Sequence, residues 1–563
     1  MRASTSFSFS QVLLLWALVA FQTVSAEPDY SCSKTKPCKV GCCGLLNDQG
    51  VGVCGGGPDF CSPGKCSSQC DWKSECDPGW GLQWSEASTC PLNVCCSKFG
   101  FCGTTPEFCN GKVVQSPECP VDQKTAEKRT VGYYEGWSTQ RSCGAITPAE
   151  IPIGYYTHIN FAFAYIYPMD FGVAPMDATT QNLYRNVTAL KARQPGLQVW
   201  IAIGGWAMNE PDSAYVNAFS KMAQTDASQD AFINSLLAFM AENDFDGVDL
   251  DWEYPVAKDR GGVKEDFDNY ARLLRRMRER FNSTGKRYGI SIAIPASYWY
   301  LRGFNLKALE PSVDWFNIMT YDMHGTWDSH VPVIGSYAYA HTNLTEINAG
   351  LELLWRNDVK PEHVNMGLGF YGRGYTMSDP GCMAPGCPFQ NATGTKPGDC
   401  TKTSGILSAA EIVQIIKKGA NSIFYEKDAV QVVTWDRDQW LSWDDERTIK
   451  LKREFANKRC LGGTMVWAID LDDGTLVQAL GNITTSQAPG NNSTSQATGS
   501  SSAGQGPASI SISLALGSSS ASQTPGIISS SQIPSSSSTS HSPSQTASEV
   551  FVQSTGAPSC GED

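Results

Sequence analysis

One short segment brings four carboxylates close together along the chain. It runs Phe-Asp-Gly-Val-Asp-Leu-Asp-Trp-Glu-Tyr-Pro over residues 245–255 and contains Asp246, Asp249, Asp251 and Glu253. Successive side chains of a β-strand point to opposite faces, so the last three carboxylates share one face. That face suits the interior or the mouth of a barrel, and the other face suits packing on an outer helix. The residues of the other face are Val248, Leu250 and Trp252.

The crowding of these carboxylates indicates a functional site. Like charges raise each other's pKa, so one acid can stay protonated near neutral pH. A solvated acidic turn and a Ca²⁺ loop are the alternatives. A Ca²⁺ loop needs flexible ligand spacing punctuated by glycine, whereas Val-Asp-Leu-Asp-Trp-Glu alternates as a strand does. The pattern therefore favours a strand that carries catalytic groups.

The bulk composition narrows the class of protein. The chain has 563 residues, too many for one compact domain, and a net charge of −13 without a large basic block. We therefore expect no nucleic-acid partner. Its 21 cysteines are too many for a reducing cytosol.

The start of the chain explains the cysteine content. Residues 1–26 combine a charged start, a short apolar run and a Val-Ser-Ala ending, which predicts a secretory signal peptide. No other stretch is long and apolar enough for a bilayer, so we expect no membrane partner. We therefore expect a soluble, extracellular protein, either free or associated with the cell wall. We also expect a glycoprotein, because Asn-x-Ser/Thr sequons are present. They begin at Asn186, Asn282, Asn343, Asn391, Asn482, Asn491 and Asn492.

Cysteine is concentrated near the N-terminus. Fifteen of the 21 cysteines lie between Cys32 and Cys119, in a short segment rich in glycine and proline. Such a segment must be held together by disulfides. Zinc is the competing interpretation, but the segment contains no histidine. We divide it into residues 27–72 and 73–120.

A polar connector, residues 121–130, follows the cysteine-rich segment. Its composition predicts a solvated linker, and Lys128-Arg129 leaves a dibasic processing site as an alternative. The last segment, residues 484–563, is dominated by Ser, Thr, Gly, Pro and Gln and cannot bury enough apolar area to fold. We expect it to be a disordered, O-glycosylated spacer.

Residues 131–483 alternate short apolar runs with amphipathic helical patterns. Eight such runs predict the α/β class and a (β/α)₈ TIM barrel. The stretch of about 374–440 is longer than one helix needs, so we expect a small α+β insertion there. The runs start at Val131, His158, Val199, Gly247, Ile290, Trp315, Asn365 and Gly463.

The barrel geometry predicts where the active site lies. In this fold it sits at the C-terminal ends of the strands, which puts Glu253 at the mouth, Asp251 just below it and Asp249 deeper. Aromatic and polar residues that close other strands would ring the cleft and bind sugar rings, although each aromatic alone is as readily explained as core. These are Tyr133, Trp137, Trp206, Met319, Tyr321, Asp322, Trp327, Tyr371, Arg373 and Trp467.

The carboxylate segment resembles a known signature. Asp246-Gly-Val-Asp249-Leu-Asp251-Trp-Glu253 is similar to the Asp-x-x-Asp-x-Asp-x-Glu motif of family 18 glycoside hydrolases, the chitinases. Three further motifs match in the expected order along the barrel. Some relatives are lectins in which the glutamate is replaced, so the presence of Glu253 favours an enzyme. The further motifs are Ile203-Gly-Gly-Trp206, Met319-Thr-Tyr-Asp322 and Met465-Val-Trp467-Ala-Ile-Asp.

The resemblance implies a mechanism without a nucleophile from the enzyme. Glu253 would protonate the glycosidic oxygen, and the 2-acetamido oxygen of the substrate would attack the anomeric carbon. Asp251 would hold the acetamido N–H and share a proton with Asp249. Tyr321 would hydrogen-bond the acetamido oxygen, Asp322 would help position the sugar, and Trp467 would form the floor of the site. No cofactor and no metal is expected.

The cysteine-rich segment resembles a second family. The spacing Cys90-x4-Cys95-Cys96-x5-Cys102-x6-Cys109 is similar to that of the hevein-like chitin-binding module. The resemblance implies the pairs Cys76–Cys96, Cys90–Cys102 and Cys95–Cys109. Ser97, Phe99, Phe101 and Phe108 occupy its sugar-binding positions, where phenylalanine keeps a stacking face but loses a polar handle. Residues 38–61 resemble a degenerate copy without the aromatic triplet, for which we expect a structural role.

We therefore expect a secreted, monomeric chitinase that binds chitin and N-acetylglucosamine oligomers. An endo-N-acetylglucosaminidase acting on N-glycan cores is one alternative, and the hevein-like module argues against it. A chitin-binding lectin or toxin-delivery subunit with little turnover is the other. Glu253 argues against that one.

Overall fold

The computed structural model describes residues 30–332 and 334–482. The signal peptide and the Ser/Thr-rich tail expected from the sequence lie outside these residues. The described chain begins with two small disulfide-rich copies. The first contains β1 (Ser31–Cys32), β2 (Cys42–Gly44), β3 (Gly52–Gly55), α1 (Pro58–Cys61) and β4 (Cys66–Ser68), and the second contains β5 (Cys95–Cys96), β6 (Cys102–Gly103) and α2 (Pro106–Cys109).

The two copies have the same disulfide connectivity. In each, the first cysteine pairs with the fourth, the second with the fifth and the third with the sixth. Every cysteine in the two described ranges is disulfide-bonded, so none of these sulfurs is available as a zinc ligand. The bonds are Cys32–Cys43, Cys38–Cys54, Cys42–Cys61 and Cys66–Cys70 in the first copy, and Cys76–Cys96, Cys90–Cys102 and Cys95–Cys109 in the second. The remaining bonds are Cys119–Cys460, Cys143–Cys400 and Cys382–Cys387.

A closed barrel of eight parallel strands follows, as the sequence predicted. Each strand is rich in apolar and β-branched residues because both of its faces are buried. A short antiparallel strand, β9 (Val173–Pro175), extends the sheet beside the second barrel strand. The barrel strands are β7 (Thr130–Glu135), β8 (His158–Ile166), β10 (Gln198–Gly204), β11 (Gly247–Asp251), β12 (Gly289–Pro295), β13 (Trp315–Met319), β14 (Val364–Gly369) and β21 (Gly463–Trp467).

Helices surround the barrel and bury one face each. The amphipathic helix α6 (Asp266–Asn282) has Tyr270, Leu273 and Met277 on its buried face, at the spacing of three and four residues that a helix requires. Side-chain caps begin several others, such as Asp177, whose carboxylate accepts the Thr180 N–H. The helices are α3 (Ala178–Thr188), α4 (Ala218–Gln224), α5 (Asp226–Asn243), α6 (Asp266–Asn282), α7 (Tyr298–Leu301), α8 (Leu306–Leu309), α9 (Leu344–Trp355), α11 (Glu446–Lys458) and α12 (Leu476–Ala479).

The insertion is a small α+β unit between the seventh and eighth barrel strands. Its antiparallel sheet begins at Tyr371 and ends at Trp443, slightly wider than the range of about 374–440 expected from the sequence. Its elements are β15 (Tyr371–Met377), β16 (Phe389–Gly394), β17 (Ile406–Ser408), α10 (Ala409–Lys417), β18 (Asn421–Tyr425), β19 (Val430–Trp435) and β20 (Gln439–Trp443).

The connector of residues 121–130 is exposed at residues 121–124, as its composition predicted, but its second half contacts the barrel. Ala126 is fully buried, and its N–H donates to Asn457 Oδ1 at 2.8 Å. The guanidinium of Arg129 lies over the Trp315 ring, 4.3 Å from its centroid, and donates to Asn365 Oδ1 at 2.8 Å. These contacts fix the connector to the N-terminal end of the barrel. A dibasic protease would have to displace Arg129 from them before it cleaved.

No helix within residues 30–332 and 334–482 combines the length and apolar character needed to cross a membrane.

Candidate active site

Asp249 is the deepest carboxylate of the predicted row and is fully buried in the barrel. Its Oδ1 accepts hydrogen bonds from Ser291 Oγ at 2.5 Å and Asn317 Nδ2 at 3.0 Å, and its Oδ2 accepts one from Tyr133 O–H at 2.7 Å. Burial raises the pKa of Asp249, and these donors oppose that shift. Asp249 is therefore a fixed acceptor at the base of the site.

Asp251 lies one step nearer the mouth and is also buried. Its Oδ1 has no hydrogen-bond partner within the described part of the chain. Burial raises its pKa well above the ordinary value, and the negative charges of Glu253 and Asp249 raise it further. Asp249 has three other donors, and one buried oxygen of Asp251 has no partner within residues 30–332 and 334–482. The proton shared by Asp249 and Asp251 stays a prediction.

Glu253 follows the end of β11 and is buried at the mouth. Burial raises the pKa of Glu253 to about 7; the charges of Asp322 and Glu210 add to the rise, and the guanidinium of Arg260 opposes it. A carboxyl group with this pKa is partly protonated at neutral pH and can donate a proton or accept one. The row of carboxylates therefore contains a group suited to general acid–base catalysis.

Arg260 holds two mouth loops together, and the sequence analysis missed it. Its Nε donates to the carbonyl oxygen of Glu253 at 3.0 Å, and its Nη2 donates to that of Trp206 at 2.6 Å. Its guanidinium also lies over the Trp206 ring, 3.6 Å from the centroid. Arg260 belongs to a short loop helix without apolar periodicity, so no local pattern could have identified it.

Asp322 is held by a second charged cluster at the end of the sixth barrel strand. Nε and Nη2 of Arg373 each donate to its carboxylate at 2.5 Å, and the Tyr371 hydroxyl donates as well. Burial would raise the pKa of Asp322, but the charge and hydrogen bonds of Arg373, together with His341, outweigh burial and hold that pKa far below the usual range. His341, which the sequence analysis did not identify, accepts the Asp322 N–H with its Nδ1 at 3.4 Å.

A profile of the family described as "Glycosyl hydrolases family 18" matches residues 129–472, more than half of the chain. The chain belongs to glycosyl hydrolase family 18. A second profile, described as "Chitin recognition protein", matches residues 81–119.

Individual relatives of this family 18 chain agree with the profile. A secreted chitinase, LysM12, of Penicillium expansum is 29% identical over 77% of this chain, and the chain spans 30% of that relative's length. An endochitinase of Brugia malayi is 30% identical over 61% of this chain and 68% of its own length. The crystal structure of the Ostrinia furnacalis Group IV chitinase in complex with allosamidin superposes with a TM-score of 0.57 and 27% identity, covering 62% of this chain and 97% of that one.

Aromatic side chains line the mouth of this family 18 barrel. The Trp467 ring lies 5.5 Å from that of Tyr133 and 6.3 Å from that of Trp137, measured between centroids. Trp206 and Trp327 project outward, with 49% and 40% of their surface exposed. Exposed tryptophan faces beside buried carboxylates form a surface that sugar rings can stack on.

The remaining predicted barrel residues lie at the same end. Tyr321 is buried between Met465, whose sulfur is 3.7 Å from its hydroxyl oxygen, and the ring of Tyr371. Met319 is half-buried at the end of β13.

The predicted sugar-binding residues Ser97, Phe99, Phe101 and Phe108 lie outside the barrel, in the second disulfide-rich copy. There Phe99 is 59% exposed, whereas Ser97 is buried.

Two inward polar residues, Ser291 and Asn317, also went unrecognised in the sequence. Each interrupts an otherwise apolar strand, at Ile-Ser-Ile and Phe-Asn-Ile. A lone polar residue in a buried strand must find a hydrogen-bond partner, and both find Asp249. Asp246, whose strand parity is opposite to that of the other three carboxylates, accepts the Val199 N–H at 3.0 Å and so has a structural role.

The raised pKa of Glu253 predicts a pH-dependent stability difference. In the folded protein Glu253 keeps its proton up to a pH of about 7, against an ordinary pKa of 4.5, so its contribution to stability is lost as the pH rises between these values. From pH 4.5 to pH 8, Glu253→Gln should gain on the order of 3 kcal/mol relative to the wild type. Urea unfolding at both pH values measures this gain.

Glu242→Gln is the matched control, because Glu242 is an exposed residue of α5. The free energy of unfolding of this control should match that of the wild type at both pH values. If the free energy of unfolding of Glu253→Gln differed from that of the wild type by the same amount at pH 4.5 and pH 8, the assignment of a raised pKa would be contradicted.

Proposed function

We propose that this family 18 protein is a secreted chitinase that hydrolyses β-1,4 bonds between N-acetylglucosamine units. The observation that carries the proposal is Glu253, a buried carboxyl group at the barrel mouth whose pKa is raised to about 7. A general acid is most efficient when its pKa lies near the working pH. The names of the relatives and the match to a chitin recognition profile support chitin as the substrate.

Glu253 is the proposed acid and base. It donates its proton to the glycosidic oxygen as the bond to the anomeric carbon breaks. It then takes a proton from the water that opens the intermediate, which restores its protonated form. The raised pKa serves both steps because the group changes protonation state twice in one cycle.

The acetamido oxygen of the substrate is the proposed nucleophile. It bonds to the anomeric carbon as the glycosidic bond breaks and forms an oxazolinium ion. Asp251 receives the acetamido N–H and offsets the positive charge that develops; its buried Oδ1, which has no partner among the described residues, supports this role. Tyr321 donates its hydroxyl proton to the acetamido oxygen. Asp249 shares a proton with Asp251, Asp322 helps to position the sugar, and Trp467 forms the floor under the reacting ring.

Asp251 is a poor candidate for direct attack. It lies two residues before Glu253 on the same strand face, so both carboxylates approach the scissile bond from one side. A nucleophile has to approach from the side opposite the leaving group.

A lectin function is the second candidate, and the presence of Glu253 argues against it. An endo-N-acetylglucosaminidase would use the same groups on a different substrate.

Removal of the acid should abolish turnover but not binding. We expect Glu253→Gln to lower kcat on chitin hexamers by about 10²- to 10⁴-fold, because the amide cannot donate the proton. Adsorption to chitin should remain close to that of the wild type. Release of reducing ends by the purified protein measures the rate, with Glu242→Gln as the control that keeps wild-type turnover. Wild-type turnover by Glu253→Gln would exclude Glu253 from the role.

The proposed nucleophile requires an acetyl group on the sugar that is attacked. Fully deacetylated chitosan should therefore be inert, although it fits the same cleft, whereas acetylated oligomers are cleaved. Products should appear first as the β-anomer, because two successive inversions give net retention. Proton NMR of fresh products measures both results. Rapid cleavage of deacetylated chitosan, or a covalent sugar–Asp251 adduct, would contradict the mechanism.

A further inference from the structure

The second disulfide-rich copy contacts the end of α9 through paired side-chain amides. Asn93 Nδ2 donates to the carbonyl oxygen of Arg356 at 3.0 Å, and Asn357 Nδ2 donates to that of Leu92 at 3.0 Å. Asn93 Nδ2 also lies 3.2 Å from Asn357 Oδ1. Each partner therefore satisfies a backbone carbonyl of the other. Reciprocal bonds of this kind fix an orientation as well as a distance.

Arg356 contacts the rigid centre of the copy. Its Nη1 lies 3.7 Å from the sulfur of Cys95 and 3.5 Å from the carbonyl oxygen of Asn93. Its Nη2 lies 3.8 Å from the sulfur of Cys109, the other half of the same disulfide. Leu92 is buried in the same continuous apolar cluster as the barrel core. The contact thus involves the cross-linked core of the copy.

A second attachment follows within a few residues. Cys119 is disulfide-bonded to Cys460 after the end of α11, and its N–H donates to the carbonyl oxygen of Lys458 at 2.9 Å. Glu118 forms an ion pair with Arg459 at 3.6 Å. Only residues 110–118 separate this attachment from the last cysteine of the copy. A freely moving module would need a longer, flexible linker.

Two tryptophans pack the first copy against the second. A Cβ atom on Gly56 would come within 2.7 Å of the Trp72 ring, and one on Gly57 within 2.6 Å of the Trp80 ring. Trp72 also reaches the second copy, where its ring centroid is 6.1 Å from that of Phe101. The two copies are therefore packed together through these rings, while Phe99 stays exposed.

We propose that Arg356 and Asn357 form a docking site for the chitin-recognition module, so that the module and the cleft act as one rigid chitin-binding body. The proposal rests on the proposed chitinase function. In this proposal one chitin surface engages both sites, and a fixed geometry keeps the second contact at a high effective concentration. The disulfide to Cys460 then holds the module close to the barrel, and the amide pair sets its direction.

The double variant Arg356→Ala/Asn357→Ala in the full chain tests the docking site. We expect faster hydrogen exchange in residues 90–96 and 110–118, and an initial rate on insoluble chitin reduced on the order of tenfold. The rate on soluble chitin hexamer should match that of the wild type, because both residues lie outside the cleft. Arg287→Ala, which removes an exposed arginine, is the control and should change neither quantity.

Unchanged exchange in the double variant would overturn the docking site. Faster exchange with an unchanged rate on insoluble chitin would overturn its role in binding the substrate. If the double variant does not fold, Asn357→Ala alone removes one of the reciprocal bonds and is measured in the same way. A wild-type protein inactive on the soluble hexamer would refute the proposed function, while the exchange data would still decide whether the module docks.

Discussion

The stacking of Asp249, Asp251 and Glu253 inside the barrel is the constraint on which the site depends. Burial makes ionisation of Asp251 and Glu253 costly, and like charge acts in the same direction on each. The like charges are those of Glu253 and Asp249 for Asp251, and those of Asp322 and Glu210 for Glu253. The barrel tolerates the lowest carboxylate by giving it three donors from neighbouring strands. One oxygen of the middle carboxylate, Asp251, has no partner in the part of the chain that the structure describes. Because the three carboxylates have different hydrogen-bond partners and charged neighbours, they can take different chemical roles.

Strand parity made the carboxylate row and the barrel predictable, because both follow from local alternation in the sequence. Arg260 and His341 could not be predicted, since each lies in an irregular segment and reaches its partner only through the tertiary fold. The connector was misinterpreted for a related reason. Its composition is polar, yet the backbone N–H of Ala126, which donates to Asn457, and the guanidinium of Arg129, which lies over Trp315, attach it to the barrel.

The disulfide-rich copies show how a segment without a large core can still have a defined position. Within each copy, cross-links replace apolar burial. Towards the barrel, the same cross-links offer a stiff surface on which a few amide and guanidinium contacts suffice. The N-terminal region is thereby part of the body that contains the cleft, although its sequence pattern resembles that of an independent module. Different residues thus determine the fold of the second copy and its position on the barrel. The spacing of the cysteines determines the fold, and Asn93 and Arg356 determine the position.

The pKa of Glu253 in the folded protein tests the central claim most directly. Carbon-13 NMR of the glutamate side-chain carboxyl groups, with Glu253→Gln identifying the resonance, gives the titration midpoint without any assay of activity. We predict a midpoint near 7. A midpoint near the ordinary value of 4.5 would show that burial at the barrel mouth does not keep Glu253 protonated, and would contradict its role as the general acid.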